Sequence, residues 1–231
     1  MRNAAPPLVF CVSVALLFTH GAGVSVEQSH AAEPVAAEKG KIETGFLEQP
    51  WKRQRTRSLE VGRWPVVWRE RAAKKEGIFA GLTFVAPVDR KHAWDLSSGY
   101  DDLGKKTPGI KSIKIIEESP NRQVVQAEVE VLWRILVLNF EVEQEPMEVM
   151  RFRLSNPEIG EYIGVCRFTD AEIAANGKSP STAGTALELS TWFKPARPVP
   201  AGLILMAQRI VMLRGARTFL ESCARRSSRQ A

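Results

Sequence analysis

Cys166, Cys223 and His92 are the side chains best suited to chemistry in the body of this 231-residue chain, and none stands beside a partner. A nucleophile needs a base within hydrogen-bond reach and a third group to orient that base. His92 instead follows Arg90 and Lys91 on a stretch that reads as a solvated helix face, and the other histidine beyond the N-terminal leader, His30, lies in a polar tether. Ser190, Thr191 and Tyr162 read as ordinary strand residues, and the paired acids Asp101-Asp102 and Glu117-Glu118 fall at element ends, where solvation accounts for them. No glycine-rich phosphate loop occurs, and the two cysteines have no histidine at zinc-ligand spacing. The expectation is therefore no catalytic cluster, no metal and no cofactor. Cysteines in an exported chain can pair, so Cys166 and Cys223 could form a disulfide, with two buried thiols the simpler reading.

Those residues depend on elements that the hydrophobic pattern outlines. Arg63 to Arg71 alternates around Trp64, Val66 and Trp68 and reads as a strand. Ile78 to Val85 follows as a second, after a polar turn ending in Gly77, which suggests a hairpin. At Ala86-Pro87 the period changes. Asp89 can cap a helix over Arg90 to Ser98 that turns Trp94 and Leu96 inward and ends at Ser98-Gly99. Tyr100 to Lys106 reads as a second short helical turn, stopped by Pro108-Gly109.

Strands then dominate. Lys111 to Glu118 is one, and Ser119-Pro120-Asn121 is a turn. Between Gln123 and Gln144 the alternation changes phase: Val125, Ala127, Val129 and Val131 share one parity, and Leu136, Leu138, Phe140 and Val142 the other. A one-residue slip would turn every side chain over, so a turn or bulge belongs near Leu132 to Ile135. Met150, Phe152 and Leu154 alternate inward against Arg151 and Arg153, Glu161 to Thr169 gives the next strand, and Thr185 to Phe193 the last. After Pro195, Pro198 and Pro200, apolar residues from Gly202 to Arg225 recur at helical spacing. Leu205, Met212, Ala216, Phe219 and Cys223 form one stripe, and Leu203, Met206, Ile210 and Leu213 an adjoining one.

The net charge of +6 is uneven, with ten basic and five acidic residues between 41 and 76 against twenty and eighteen from 77 to 231. Residues 24 to 60 read as a flexible basic linker, with 61 to 77 a strand and turn added to the main domain and 227 to 231 a tail. Trp51, Lys52, Arg53, Arg55 and Arg57 set cations beside an aromatic. This patch suits either peripheral contact with an anionic membrane surface or a plain solvated linker; nucleic acid is not an expected partner. Residues 1 to 23 carry Arg2, an apolar run from Leu8 to Phe18 and small residues at Gly21-Ala22-Gly23, the layout of a signal peptide and too short for a bilayer span. Export to the periplasm or outside the cell is the expectation, with cleavage there or near Ala31-Ala32. The oligomeric state is left open.

Taken together, Val85-Ala86-Pro87-Val88-Asp89, Trp94, Gly99-Tyr100-Asp101, the Pro108-Gly109-Ile110 turn and the closing amphipathic helix after Pro200 occur in a distinctive order. From about Ile78 to Arg226 the chain resembles the SRPBCC superfamily, the START-like and polyketide cyclase/coenzyme Q-binding group. The resemblance implies an α+β helix-grip fold, a curved antiparallel sheet wrapped around a long C-terminal helix with two short helices after the first strand. It also implies binding of a hydrophobic small molecule or lipid, quinone-like or polyketide-like among the choices, in a cavity between sheet and helix. Two other readings stay open, a cyclase/aromatase-type enzyme using the same cavity and a membrane-surface interaction protein without a small ligand. The candidate cavity residues are Trp133, Phe140, Phe152, Phe168, Trp192, Met206 and Ile210, with Arg209 or Arg151 as a polar anchor.

Overall fold

The computed structural model describes residues 41–48, 54–73, 77–99, 110–131, 134–173 and 182–227. The expected leader, Trp51, Lys52, Arg53, the helical turn from Tyr100 to Lys106 and Trp133 lie outside these residues. Among the described residues nine strands form one antiparallel sheet: β1 (Arg55–Val61), β2 (Trp64–Ala73), β3 (Gly77–Ala86), β4 (Ile110–Ser119), β5 (Arg122–Val131), β6 (Arg134–Glu145), β7 (Val149–Asn156), β8 (Gly160–Ile173) and β9 (Thr182–Pro195). Their spatial order is β1-β2-β3-β9-β8-β7-β6-β5-β4. Every neighbour pair but β3–β9 is a sequential hairpin; that one pairing brings the last strand back beside the third. Helix α1 (Gly45–Glu48) precedes the sheet, α2 (Arg90–Ser98) follows β3, and α3 (Ala201–Ser227) closes the chain.

Side chains alternate across a strand, so one register defines both faces of the sheet. Ile78, Phe193, Tyr162, Leu154, Phe140 and Val125 are successive cross-strand partners on β3, β9, β8, β7, β6 and β5. All six are buried, forming an apolar line across the sheet on its concave face. Helix α3 lies over the β1–β3 flank of that face, and Phe219 meets Phe84 edge to face with ring centroids 6.0 Å apart. Helix α2 packs on β8 and β9, where Trp94 meets Phe168 at 5.3 Å. The phase change between β5 and β6 follows from their hairpin, in which Val125 pairs with Phe140 and Ala127 with Leu138, so odd positions face even ones.

The start of the domain differs from the linker expectation. Residues 41–48 and 55–60 belong to the fold, as α1 and its approach and as β1. Ile42 and Leu47 are buried on the convex face against Phe79, Val149, Ile163 and Val165, with Trp192 packed alongside. Strand β1 escapes a hydrophobic-period reading because it is an edge strand carrying Arg55, Thr56, Arg57 and Ser58, polar residues of the kind that blunt an exposed edge. Gly62, with φ of 66°, makes the left-handed turn into β2 that L side chains resist. The sheet also continues past the expected end, since Pro195 still pairs with Gly160, and α3 runs on to Ser227.

Candidate functional site

The apolar interior is bounded by the concave face and the side of α3 turned toward it. A helix places residues three and four apart on one face. Ile204, Gln208, Met212, Ala216, Phe219 and Cys223 form the buried stripe of α3. Ala207 and Ala216 are small enough to let the helix approach the sheet closely, and both are buried. Leu203, Met206 and Ile210 are 53%, 49% and 40% exposed and lie on the opposite side of the helix. Met206 and Ile210 therefore do not form the inner wall; the adjoining stripe of the periodicity faces out. The half-buried flank is occupied by Leu205, Arg209 and Leu213, so Arg209 borders the interior without entering it.

The sheet sorts the remaining candidates by parity. Phe140, Phe152 and Phe168 are buried on the concave side. Phe152 stacks on Tyr162 at 5.9 Å and 17°. Trp192 pairs with Ile163 and Phe79 and packs against Phe46 at 5.8 Å, on the convex face. It cannot line a space on the other side. Arg151 shares the convex parity and donates to Glu145 at 2.5 Å, so it is no anchor for the interior. That hydrogen bond is the main reason the Glu145 carboxyl is held below its ordinary value.

Cys166 and Cys223 are both buried in the concave core as unbridged thiols, so the expected alternative of a disulfide gives way to the simpler reading. Burial pushes the Cys166 thiol far up, which keeps it protonated and unreactive. His92 is engaged locally: its backbone N–H donates to the Asp89 carboxylate at 2.8 Å, and its ring Nδ1 meets the other Asp89 oxygen. This is a helix cap. The carboxyl of Asp89 is lowered chiefly by the backbone bond. Among the described residues no group of three or more His, Cys, Asp or Glu is placed to hold a metal ion, and no helix is long and apolar enough to cross a membrane.

Polar groups inside the grip are few and mostly satisfied. Thr191 Oγ1 donates to Ala80 O at 3.0 Å, and Thr185 Oγ1 to Val88 O at 2.8 Å. Glu70 on β2 is buried and accepts the Trp68 indole N–H at 2.7 Å, with the Arg57 guanidinium 3.8 Å from its second oxygen. Ser97 Oγ on α2 has no hydrogen-bond partner among the described residues, and on α3 the side chain that stands out is Gln208. It is fully buried, and neither Nε2 nor Oε1 has a hydrogen-bond partner among the described residues. Sequence reasoning passed over both Glu70 and Gln208. A signal for Gln208 was present, four residues before Met212 on the stripe that carries Ala216 and Phe219.

The concave face, α2 and α3 together enclose an apolar interior that holds a small number of polar side chains. It holds no paired nucleophile and base among the described residues. No protein-family profile matches the chain, and no curated protein matches its sequence. Solved structures do match its shape. The STAR-related lipid transfer protein (fragment 25–204) from Xanthomonas axonopodis superposes with a TM-score of 0.55 at 7% identity, over 73% of this chain and 98% of that one. The Zhui aromatase/cyclase from Streptomyces sp. R1128 gives 0.46 at 15% identity, over 66% and 94%. A START superfamily protein from Mycobacterium smegmatis gives 0.47 at 14% identity, over 62% and 97%. With a curved sheet of nine strands among the described residues and a long C-terminal helix packed on it, this chain has a helix-grip fold like that of the STAR-related lipid transfer protein.

Proposed function

We propose that this protein binds a hydrophobic small molecule or lipid between the concave face of its sheet and α3, and that it does so outside the cytoplasm. The observation that carries the reading is the apolar line Ile78–Phe193–Tyr162–Leu154–Phe140–Val125, which runs from β3, the strand under α3, across the concave face with no charged side chain among its six members. Burial of such a surface against an apolar ligand is favourable at about 25 cal/mol per Å². Aromatic members of the line suit flat ring systems, so a quinone-like or polyketide-like ligand fits as well as an acyl chain. The likeness to the lipid transfer protein supports the fold on which this reading stands.

Native mass spectrometry of protein purified from its own host tests the reading. The expected result is a co-purifying apolar adduct, lost on extraction with organic solvent. Repeated preparations without an adduct, together with no uptake of apolar fluorescent probes, would overturn it.

Peripheral membrane contact is a second reading, supported by the exposed Leu203, Met206 and Ile210 stripe and the exposed Arg214 and Arg217 on the same helix. Arg55 and Arg57 of the basic segment lie on edge strand β1, with the Arg57 side chain about half exposed. Flotation with anionic vesicles, weakened by salt and by Met206→Ser, is the expected result. Flotation indifferent to both would remove this reading.

A further inference from the structure

Gln208 is out of keeping with its surroundings. Its helical neighbours Ile204, Val211 and Met212 are apolar and buried, and Ala207 beside it is small. Several polar side chains in the interior have found partners: Thr185 and Thr191 bond to backbone carbonyls, and Ser222 on the same helix donates to Thr218 O at 2.8 Å, whereas Ser97 Oγ on α2 has none among the described residues. The carboxamide of Gln208 has two donors and an acceptor in a low-dielectric place, and both Nε2 and Oε1 lack a partner. Unmade hydrogen bonds are expensive there, and a leucine or methionine would fill the volume without that cost. A polar group kept unsatisfied inside a fold that grips ligands points to a partner outside the chain.

We propose that Gln208 anchors the head of the bound ligand, and that this head is a neutral group presenting a donor and an acceptor together, a carboxamide or a protonated carboxyl. The proposal rests on the binding reading above and adds the chemistry of the ligand's polar end. A primary carboxamide offers N–H and C=O side by side, so it pairs with such a head through two parallel hydrogen bonds. The apolar neighbours disfavour an ionised head, since an isolated charge taken out of water needs a counter-ion at the site. Arg209 follows in sequence but lies about 100° around the helix, on the half-buried flank.

Competition binding with three probes of equal chain length tests this on the purified protein: decanamide, N,N-dimethyldecanamide, which has no donor, and undecane. The unsubstituted amide should bind roughly 10- to 100-fold tighter than its dimethyl analogue, which keeps the carbonyl acceptor but leaves Gln208 Oε1 without a donor, the range for one buried hydrogen bond formed instead of left unmade. Gln208→Met should erase that preference and retain undecane binding. Without probe it should melt at the same temperature or higher, because it removes two unsatisfied groups. A preference that survives in the variant overturns the anchor and leaves the binding reading intact. A variant that melts several degrees lower, or does not fold, marks Gln208 as a structural residue and also overturns it. If the wild type takes up none of the three probes, the binding reading fails, and the anchor with it.

Discussion

The ring of Phe152 on β7 lies directly over Gly164, its cross-strand partner on β8, and stacks on Tyr162 two residues along. A Cβ at Gly164 would overlap that ring. The glycine is thus the floor of an aromatic position on the concave face, and the close approach explains why a strand interior tolerates it.

Gly164→Ala should destabilise the fold by about 1–3 kcal/mol, the usual cost of overpacking a core. Urea denaturation of the single variant and of the double variant with Phe152→Leu checks this. The double variant should recover part of the loss, because the two positions share one volume. Additive losses would mean that the ring does not occupy the space above the glycine.

The cap of α2 has a pH signature. The Asp89 carboxyl is held below its ordinary value, first by the His92 backbone N–H. A carboxyl depressed in the folded state stabilises above its unfolded pKa, and this contribution is lost as pH falls through the lower folded value. Asp89→Ala should cost about 1 kcal/mol at neutral pH. The difference in stability between wild type and variant should stay flat from pH 7 to 5 and shrink below pH 4. A difference that grows on acidification would refute the assignment.

The convex face predicts a separation of stability from binding. Leu47→Ala removes a buried contact from the cluster with Phe79, Ile163 and Val165 and should cost about 2 kcal/mol or more. Trp192→Ala on the same face should also lower the melting temperature while leaving affinity for apolar probes unchanged. Phe140→Ala, on the concave face, should lower both. Equal effects of Trp192→Ala and Phe140→Ala on affinity would place the ligand elsewhere.

Cys166 and Cys223 should resist iodoacetamide in the folded protein at pH 8 and react fully once it is unfolded, as mapped by peptide mass spectrometry. Burial raises the Cys166 thiol and closes access to it. Labelling of the native state, or a disulfide-linked peptide, would contradict the packing seen here.

Periodicity alone determined most of the strands, the limits of α2 from Arg90 to Ser98, the cap at Asp89 and the long closing helix. These are local consequences of alternation, capping and helical spacing, and they are written in neighbouring residues. Their order carried the resemblance that led to the helix-grip fold. Strand β1 was hidden because an edge strand needs only one apolar face and one partner, and here Arg55, Thr56, Arg57, Ser58 and Glu60 fill five of its seven positions.

Which face each residue occupies was a question only the tertiary structure could decide. Trp192 and Phe193 are adjacent, equally aromatic and equally at home in a strand, yet pairing with Phe79 and Ile78 sends them to opposite sides of the sheet. On α3 both stripes are apolar, and only packing on β1–β3 selected Met212 and Phe219 over Met206 and Ile210 for the interior. The same packing buried Gln208. Its meaning comes from partners that are distant in the chain, and hydrophobic period carries no information about which polar side chain will be left without one.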